Sequence, residues 1–221
     1  MKQAPDTSWL DRIEIVGGHP AVDFVNTLHS YTEDEPRDYL ESGGHVIGWH
    51  LHQGLIDAPQ ARQLASLSAP RHDKLLAESR ALRTTLHAVF DGYLKHRPAT
   101  AALARLNREL ERLARWRTLE PSQGGFVWRY KITPTHPHSL FAPLVFAAVE
   151  LLRSDDLARL KACPPPEGCG WLFLDRSRNG SRTWCNMKTC GNLAKQHRHR
   201  ARQSKQHGSS NTVNGIIQVD A

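Results

Sequence analysis

The stretch "CPPPEGCGWLFLDRSRNGSRTWCNMKTCGN", residues 163–192, contains all four cysteines of the chain. They are spaced as C-x5-C, then 15 residues, then C-x4-C. Two close cysteine pairs separated by a hairpin-length spacer are a common way to build a tetrahedral zinc site, because each pair supplies two thiolates from one turn. Four protein ligands leave no open position for water, so the pattern predicts one structural Zn²⁺ per chain. The predicted ligands are Cys163, Cys169, Cys185 and Cys190.

The spacer between the two pairs predicts a β-hairpin. Residues 171–175 ("WLFLD") are apolar and strand-like, Asn179-Gly180 is a strong turn signal, and residues 182–184 ("RTW") supply the returning strand. We expect Asp175 to pair with Arg182 and fix this hairpin, which is a structural role and not a catalytic one.

Two alternatives to the four-cysteine site stay open. The cysteines could be reduced structural thiols, although clustered cysteines in a reducing compartment more often bind metal. His197 and His199 compete as ligands, but the four cysteines already form a complete set, so surface or packing roles are expected for both. A redox role is disfavoured because the chain contains no C-x-x-C motif.

Positive charge is concentrated in the same segment. The formal net charge of the 221-residue chain is +7, and residues 161–207 contain ten Lys or Arg against two Asp or Glu. The remaining residues carry a balance of −1, so the whole excess lies in the cysteine segment and the helix after it. Such asymmetry indicates an anionic partner, most commonly nucleic acid, although a solvated basic tail has the same composition.

The residues after Cys190 predict a basic helix that begins at Asn192 as its N-cap. Helical spacing places Lys195, Arg198, Arg202 and Lys205 on one face and Arg200 elsewhere on the polar surface. Ala194 and His197 lie on a neighbouring packing face, and further arginines lie around the hairpin turn. Phosphate contact gives affinity without sequence preference, and no base-reading residue is evident. The candidate nucleic-acid-binding residues are Lys195, Arg198, Arg200, Arg202, Lys205, Arg178 and Arg182.

The first 160 residues predict a mostly helical α+β domain. Leucines recur every three to four residues in 70–97 and 101–116, which indicates two amphipathic helices, and a further helix is expected over 139–160. Residues 126–132 alternate like a strand, with 117–120 as the hairpin partner and 12–16 as a third strand of one small antiparallel sheet. We therefore divide the chain into a domain of 1–160, a zinc module of 161–207 and a disordered tail of 208–221.

Two sequence patterns resemble known families. The cysteine segment is similar to the CGNR zinc finger of bacterial proteins, through its F-x-D-x-S-x-N, R-x-W-C-x-M and C-G-N patterns, although Leu193 stands where that family has arginine. Residues 17–30 ("GGHPAVDFVNTLHS") resemble the start of the ABATE domain, the usual N-terminal partner of this finger. The resemblance covers nearly the whole chain and implies a stress-induced transcription regulator.

The polar residues of the N-terminal signature are Asp23, Asn26 and Thr27. One hypothesis makes them a small-molecule pocket near the first helix. The alternative is that they serve local capping and buried hydrogen bonding, which such residues often provide.

Together these patterns favour a DNA-binding regulator with a structural zinc and without catalysis. The rival hypothesis is a zinc-stabilised module that contacts RNA or an acidic protein, with a ligand-sensing or homodimerising N-terminal domain. No catalytic triad order or phosphate loop is apparent in the sequence. The longest apolar stretch, 140–152, is too short to cross a bilayer, and the N-terminus lacks the apolar core of a signal peptide, so a cytoplasmic protein without membrane contact is expected.

Overall fold

The computed structural model describes residues 7–29, 37–165 and 168–208, and the side chains of 201–208 are described only at Gln203. The predicted α+β class is confirmed: helices dominate, and small antiparallel sheets lie among them. The predicted tail, 208–221, lies almost wholly outside the described residues. In the described ranges, no helix is long and apolar enough to cross a membrane.

The helices follow the chain in order, each described here by its bounds. They are α1 (Pro20–Val25), α2 (Gly43–His52), α3 (Ala58–Ala65), α4 (Ala69–Leu94), α5 (Thr100–Leu113), α6 (Ala142–Arg153) and α7 (Asn192–Gly208). Both leucine stripes lie in helices as predicted, since α4 and α5 bury Leu75, Leu82 and Leu106 in the core. The helix predicted over 139–160 is shorter, because 3₁₀ turns replace its two ends.

The strands form three separate two-stranded antiparallel sheets in the described ranges. The pairs are β1 (Leu28–His29) with β2 (Arg37–Asp38), β3 (Arg117–Ser122) with β4 (Gly125–Tyr130), and β5 (Leu160–Ala162) with β6 (Leu172–Leu174). The predicted β3–β4 hairpin is present. The third strand predicted over 12–16 is wrong: a 3₁₀ turn occupies Ser8–Arg12, and the following residues are extended but do not join a sheet.

Helix α1 starts at a tight glycine corner. The Asp23 carboxylate accepts the Gly17 amide N–H at 2.7 Å, and a Cβ on Gly17 would lie 2.8 Å from the Val22 side chain and 2.9 Å from the Asp23 backbone nitrogen. Only glycine therefore fits this close approach. The corner directs α1 between α6 and β6, where its apolar side chains are fully buried.

The Asn26 side chain joins α1 to the cysteine segment. Its Oδ1 accepts the Leu172 amide N–H at 2.9 Å, and its Nδ2 donates to the Leu172 carbonyl at 2.8 Å. The amide thus satisfies both backbone groups of one β6 residue, as a neighbouring strand would. Trp171 adds a bond from its indole Nε1 to the Leu28 carbonyl at 3.0 Å. The cysteine segment is therefore fixed to the N-terminal domain by directional hydrogen bonds as well as by packing.

His50 on α2 is a fully buried histidine in an aromatic environment. Its Nδ1 bonds the Val46 carbonyl at 2.8 Å, and its ring lies edge-on to Phe24, Trp49 and Phe141. Burial lowers the pKa of His50 from 6.5 to about 4, because the charged imidazolium would lose its hydration. The ring is therefore neutral in the folded protein at neutral pH.

Replacing Asn26 by Leu should lower the free energy of unfolding by about 2–4 kcal/mol, because the Leu172 N–H and C=O would both be buried without partners. Urea unfolding of the full chain measures this loss. The matched control is Asn107→Leu on the exposed face of α5, which should change stability by less than about 0.5 kcal/mol. Equal effects of the two changes would contradict the assigned role of Asn26.

Acid should destabilise the protein through His50. The folded-state pKa lies below the unfolded value, so the unfolded chain binds the proton first and stability falls as the pH drops from 6.5 towards 4. The full loss from this group is about 3 kcal/mol. Burial raises the pKa of Asp23 to about 6, which acts in the opposite direction over an overlapping range. The measurement is therefore the difference in unfolding free energy between wild type and His50→Phe across this pH range, which should be flat if His50 does not titrate.

Candidate metal centre

The first cysteine pair lies in the loop of the β5–β6 hairpin. Cys163 directly follows β5, and its amide N–H donates to the Trp171 carbonyl at 2.8 Å, which closes the loop. A Cβ on Gly168 would lie 2.6 Å from the Cys163 Sγ, so this position requires glycine. The hairpin predicted between 171–175 and 182–184 is wrong, because β6 pairs with the strand that precedes Cys163. The turn at Gly180 exists, with φ of +59°, but it does not join paired strands.

The second pair lies at the start of the basic helix. Cys190 belongs to a π-helical turn, Met187–Gly191, which runs directly into α7. The cap is Asn186, whose side chain accepts the Lys188 amide N–H at 2.8 Å. The predicted N-cap at Asn192 is therefore wrong: its Nδ2 donates back to the Lys188 carbonyl at 3.1 Å, inside a helical run that has already begun.

The fold brings the four predicted ligands together. The thiols of Cys163, Cys169, Cys185 and Cys190 all lie within 4.8 Å of one another. The Sγ–Sγ distance is 3.5 Å from Cys169 to Cys185 and 3.7 Å from Cys185 to Cys190. A tetrahedral zinc–thiolate centre with bonds of about 2.3 Å has sulfur–sulfur edges of about 3.8 Å. The cluster therefore fits one tetrahedral metal ion, and no other group of three or more His, Cys, Asp or Glu side chains converges in this way among the described residues.

Crowding opposes simultaneous ionisation of these thiols. Hydrogen bonds from Cys169 and Cys185 lower the pKa of Cys163 to about 2, and the same contact with Cys163 raises the pKa of Cys169 to about 12. The pKa of Cys185 is also raised, by its bonds to both neighbours and by burial. A divalent cation relieves this repulsion, since metal binding requires the thiolate form and releases the protons.

Asp175 closes the loop that follows β6. It is 1% exposed, and its Oδ2 accepts from Lys161 Nζ at 2.6 Å and from the Arg182 amide N–H at 2.9 Å. Its Oδ1 accepts from the amide and the hydroxyl of Ser177. The Lys161 and Ser177 bonds hold the pKa of Asp175 well below its usual range. The expected structural role fits this geometry, although the pairing to Arg182 uses the backbone N–H and Lys161 supplies the charge.

The Arg182 guanidinium supports the second cysteine pair. Its Nε donates to the Trp184 carbonyl at 2.9 Å, and Nη2 donates to the Cys185 carbonyl. The guanidinium also lies 4.5 Å from the ring centroid of Phe173. The Arg182 guanidinium is therefore occupied by contacts within the second cysteine loop, and we exclude it from the predicted nucleic-acid surface. Sequence spacing alone did not distinguish it from Arg178, which is exposed.

The first turns of α7 present the predicted cations to solvent. Lys195, Arg198 and Arg200 are exposed, while Ala194 is fully buried and packs the helix on the module. His197 is exposed and not part of the expected packing face, and His199 is exposed as well, so neither histidine belongs to the cysteine cluster. The side chains of Arg202 and Lys205 lie outside the described set.

The three residues of the predicted ligand pocket are used internally. Asp23 and Asn26 make the glycine-corner and β6 bonds given above. The Thr27 hydroxyl donates to the Phe24 carbonyl at 2.7 Å and accepts from Arg83 Nη1 at 3.1 Å. All three side chains are buried. This geometry favours the capping and hydrogen-bonding alternative over the pocket hypothesis.

A cavity that sequence reasoning missed lies beside the thiols. We call it the thiol cavity; it has a volume of about 450 Å³ and lies between the cysteine loops and residues from the N-terminal domain. Segments distant in sequence form it, so no local pattern could reveal it. Its walls include Cys169, Cys185, Cys190, Arg12, His29 and Leu193.

Family comparisons agree with this architecture. The ABATE family model, described as "Putative stress-induced transcription regulator", matches residues 18–155. The CGNR zinc finger model matches residues 159–203, which include all four clustered cysteines. No curated protein matches the chain. Both families are of regulatory or zinc-finger type. The chain belongs to the ABATE family and carries a C-terminal CGNR zinc finger.

Proposed function

We propose that this protein is a zinc-stabilised DNA-binding transcription regulator. The observation that carries the proposal is the position of the thiol cluster: four sulfur atoms within 4.8 Å of one another lie at the start of an exposed basic helix. A metal bound there would fix the orientation of that helix relative to the rest of the chain. The description of the matched ABATE family as a transcription regulator also supports this proposal.

Zinc is the metal that best suits this donor set. Soft thiolates select zinc, copper(I) or iron–sulfur clusters, and four thiolates at tetrahedral spacing are typical of structural zinc. The four cysteines would hold the ion and leave no open position for substrate, so the metal would stabilise structure. The module packs on the N-terminal core through Trp171, Phe173 and Leu174, and metal binding would add to the folding free energy that this packing supplies.

Nucleic acid is the anionic partner that the charge distribution favours. Lys195, Arg198 and Arg200 are exposed on the first turns of α7, and Arg178 is a further exposed arginine on the loop after β6. A helix of this kind suits contact with phosphates along a DNA groove. The rival partners are RNA and an acidic protein, and a direct comparison of affinities at one salt concentration separates them from duplex DNA.

Purified full-length protein under reducing conditions should contain about one zinc per chain. Cys163→Ser should remove most of the bound zinc and destabilise the cysteine module, because it deletes the most buried of the four ligands. Elemental analysis and the fluorescence of Trp171 and Trp184 measure both effects. Met187→Ala is the control, since Met187 is an exposed sulfur-containing neighbour outside the cluster. A fully folded, metal-free chain would refute the zinc assignment.

Binding to duplex DNA should weaken linearly in a plot of log affinity against log salt. The triple change of Lys195, Arg198 and Arg200 to Ala should make that slope shallower by about 2–3, because each lost phosphate contact contributes about 0.9. Fluorescence anisotropy over a salt series gives the slope.

A charge-matched triple variant controls for the loss of net charge. Arg62, Arg105 and Arg108 are exposed on α3 and α5, so changing them to Ala removes the same charge from another surface. This control should leave the slope unchanged. Equal slopes for all three proteins would exclude α7 as the DNA-binding element, and tighter binding to single-stranded RNA than to DNA would favour the rival partner.

A further inference from the structure

The thiol cavity exposes only some of the cysteine cluster. Cys169, Cys185 and Cys190 line it, whereas Cys163 is fully buried and is not among its walls. Its volume of about 450 Å³ is far larger than a metal ion needs and falls in the range of small-molecule sites. Small reagents that enter the cavity would therefore meet three sulfur atoms and not the fourth.

The sulfur positions divide these three cysteines into two roles. Cys169 and Cys190 are partly exposed, and Cys185 is 2% exposed and lies between them. Its Sγ is 3.5 Å from Cys169 Sγ and 3.7 Å from Cys190 Sγ. An oxidant would reach either outer sulfur first. Cys185 is adjacent to both of them and lines the cavity, whereas Cys163, which also lies within 4.8 Å of the others, is fully buried and does not line it.

We propose that the thiol cavity admits small neutral hydroperoxides and that Cys185 is a partner in the first disulfide they form. This inference rests on the proposed zinc-bound state, in which the sulfur atoms are thiolates. Arg12 and Glu14 in the wall carry opposite charges, and Leu193 is 48% exposed at the rim, so a small neutral reagent suits the cavity better than an ion.

The reaction is a two-electron oxidation of two thiolates by one hydroperoxide. The thiolate of Cys169 or Cys190 attacks one peroxide oxygen, the O–O bond breaks, and the products are a sulfenic acid and hydroxide, or alkoxide from an alkyl hydroperoxide. The Cys185 thiolate then attacks the sulfenic sulfur, an S–S bond forms, and the S–O bond breaks with loss of hydroxide. Two protons convert the leaving anions to water, or to water and an alcohol.

Disulfide formation would dismantle the metal site. Two of the four thiolates are lost as ligands, and the paired sulfurs must approach to about 2.05 Å, which tetrahedral coordination does not allow. Cys190 lies in the turn that starts α7, so release of the metal removes the anchor of the basic helix. Oxidation is therefore expected to lower DNA affinity as well as zinc content.

The direct test treats the zinc-loaded full chain with hydrogen peroxide. A chromogenic chelator reports released zinc, and peptide mapping without reduction identifies the disulfides. We expect about one zinc released per first disulfide, Cys185 in every such disulfide, and recovery of zinc binding after reduction. Zinc retention under peroxide, a first disulfide that contains Cys163, or irreversible oxidation without a disulfide would each overturn the proposal.

Access through the cavity is tested at Leu193, which lies at its rim on the exposed surface of α7. Leu193→Ala widens the opening and should accelerate peroxide-driven zinc release at least about twofold. Leu103→Ala is the matched control, because Leu103 is a similarly exposed leucine on α5. If the alanine variant loses zinc before treatment, Leu193→Phe is used instead. Its larger side chain narrows the opening and should slow zinc release. Equal rates of zinc release for leucine, alanine and phenylalanine at position 193 would contradict access through this cavity.

These outcomes separate the inference from the proposed function. A purified chain that never binds zinc refutes the proposed function itself. A chain that binds zinc and DNA but keeps both under peroxide refutes only the oxidation proposal.

Discussion

The side-chain amide of Asn26 makes the hydrogen bonds to β6 that a neighbouring strand would otherwise make. It pairs with the N–H and the C=O of Leu172 at 2.9 and 2.8 Å, in a site where neither group reaches water. A three-residue strand paired on one side only would otherwise bury unsatisfied backbone groups. The loop that carries the first cysteine pair is short, and α1 supplies to β6 the hydrogen bonds that a neighbouring strand would otherwise provide.

This dependence joins the cysteine module and the N-terminal domain into a single structural unit. Leu174 N–H donates to the Gly17 carbonyl at 2.9 Å, and Asn186 Nδ2 donates to Glu14 at 2.7 Å, so both cysteine pairs are fixed to the same N-terminal segment. The glycine corner fixes the start of α1, and Asn26 on α1 holds β6. Strand β6 and the Asp175 hydrogen bonds then position the loops that bring the four thiols together. Metal binding would complete an arrangement that the N-terminal domain already supports.

The sequence predicted those features that the pattern of one residue type determines. Leucine periodicity predicted α4 and α5, and cysteine spacing predicted the cluster, because tetrahedral coordination restricts which spacings converge. Helices α2 and α3 were missed although Ser42 and the Asp57–Gln60 capping box mark their starts. The β6 partner was also predicted wrongly, since a short strand pairs equally well with either neighbour by pattern alone. Tertiary contacts determine the pairing of β6 with β5: Lys161 on β5 donates to the Asp175 carboxylate. No local sequence pattern predicts this contact.

Leu193 shows how a single position links the metal site to the helix surface. Where the CGNR pattern has arginine, this chain has a half-exposed leucine at the rim of the thiol cavity. A guanidinium there would attract anions to the start of α7 and lie close to the cysteine cluster, whose combined charge would be negative with four thiolates around one zinc ion. Leucine carries no charge, so in the proposed function the phosphate contacts would come from Lys195, Arg198 and Arg200 further along the helix. In the oxidation proposal, the apolar rim would let a neutral molecule reach Cys190 without displacing an ion pair. Under the two proposals together, leucine at this position would weaken the helix start as a phosphate site and leave the sulfur atoms more accessible.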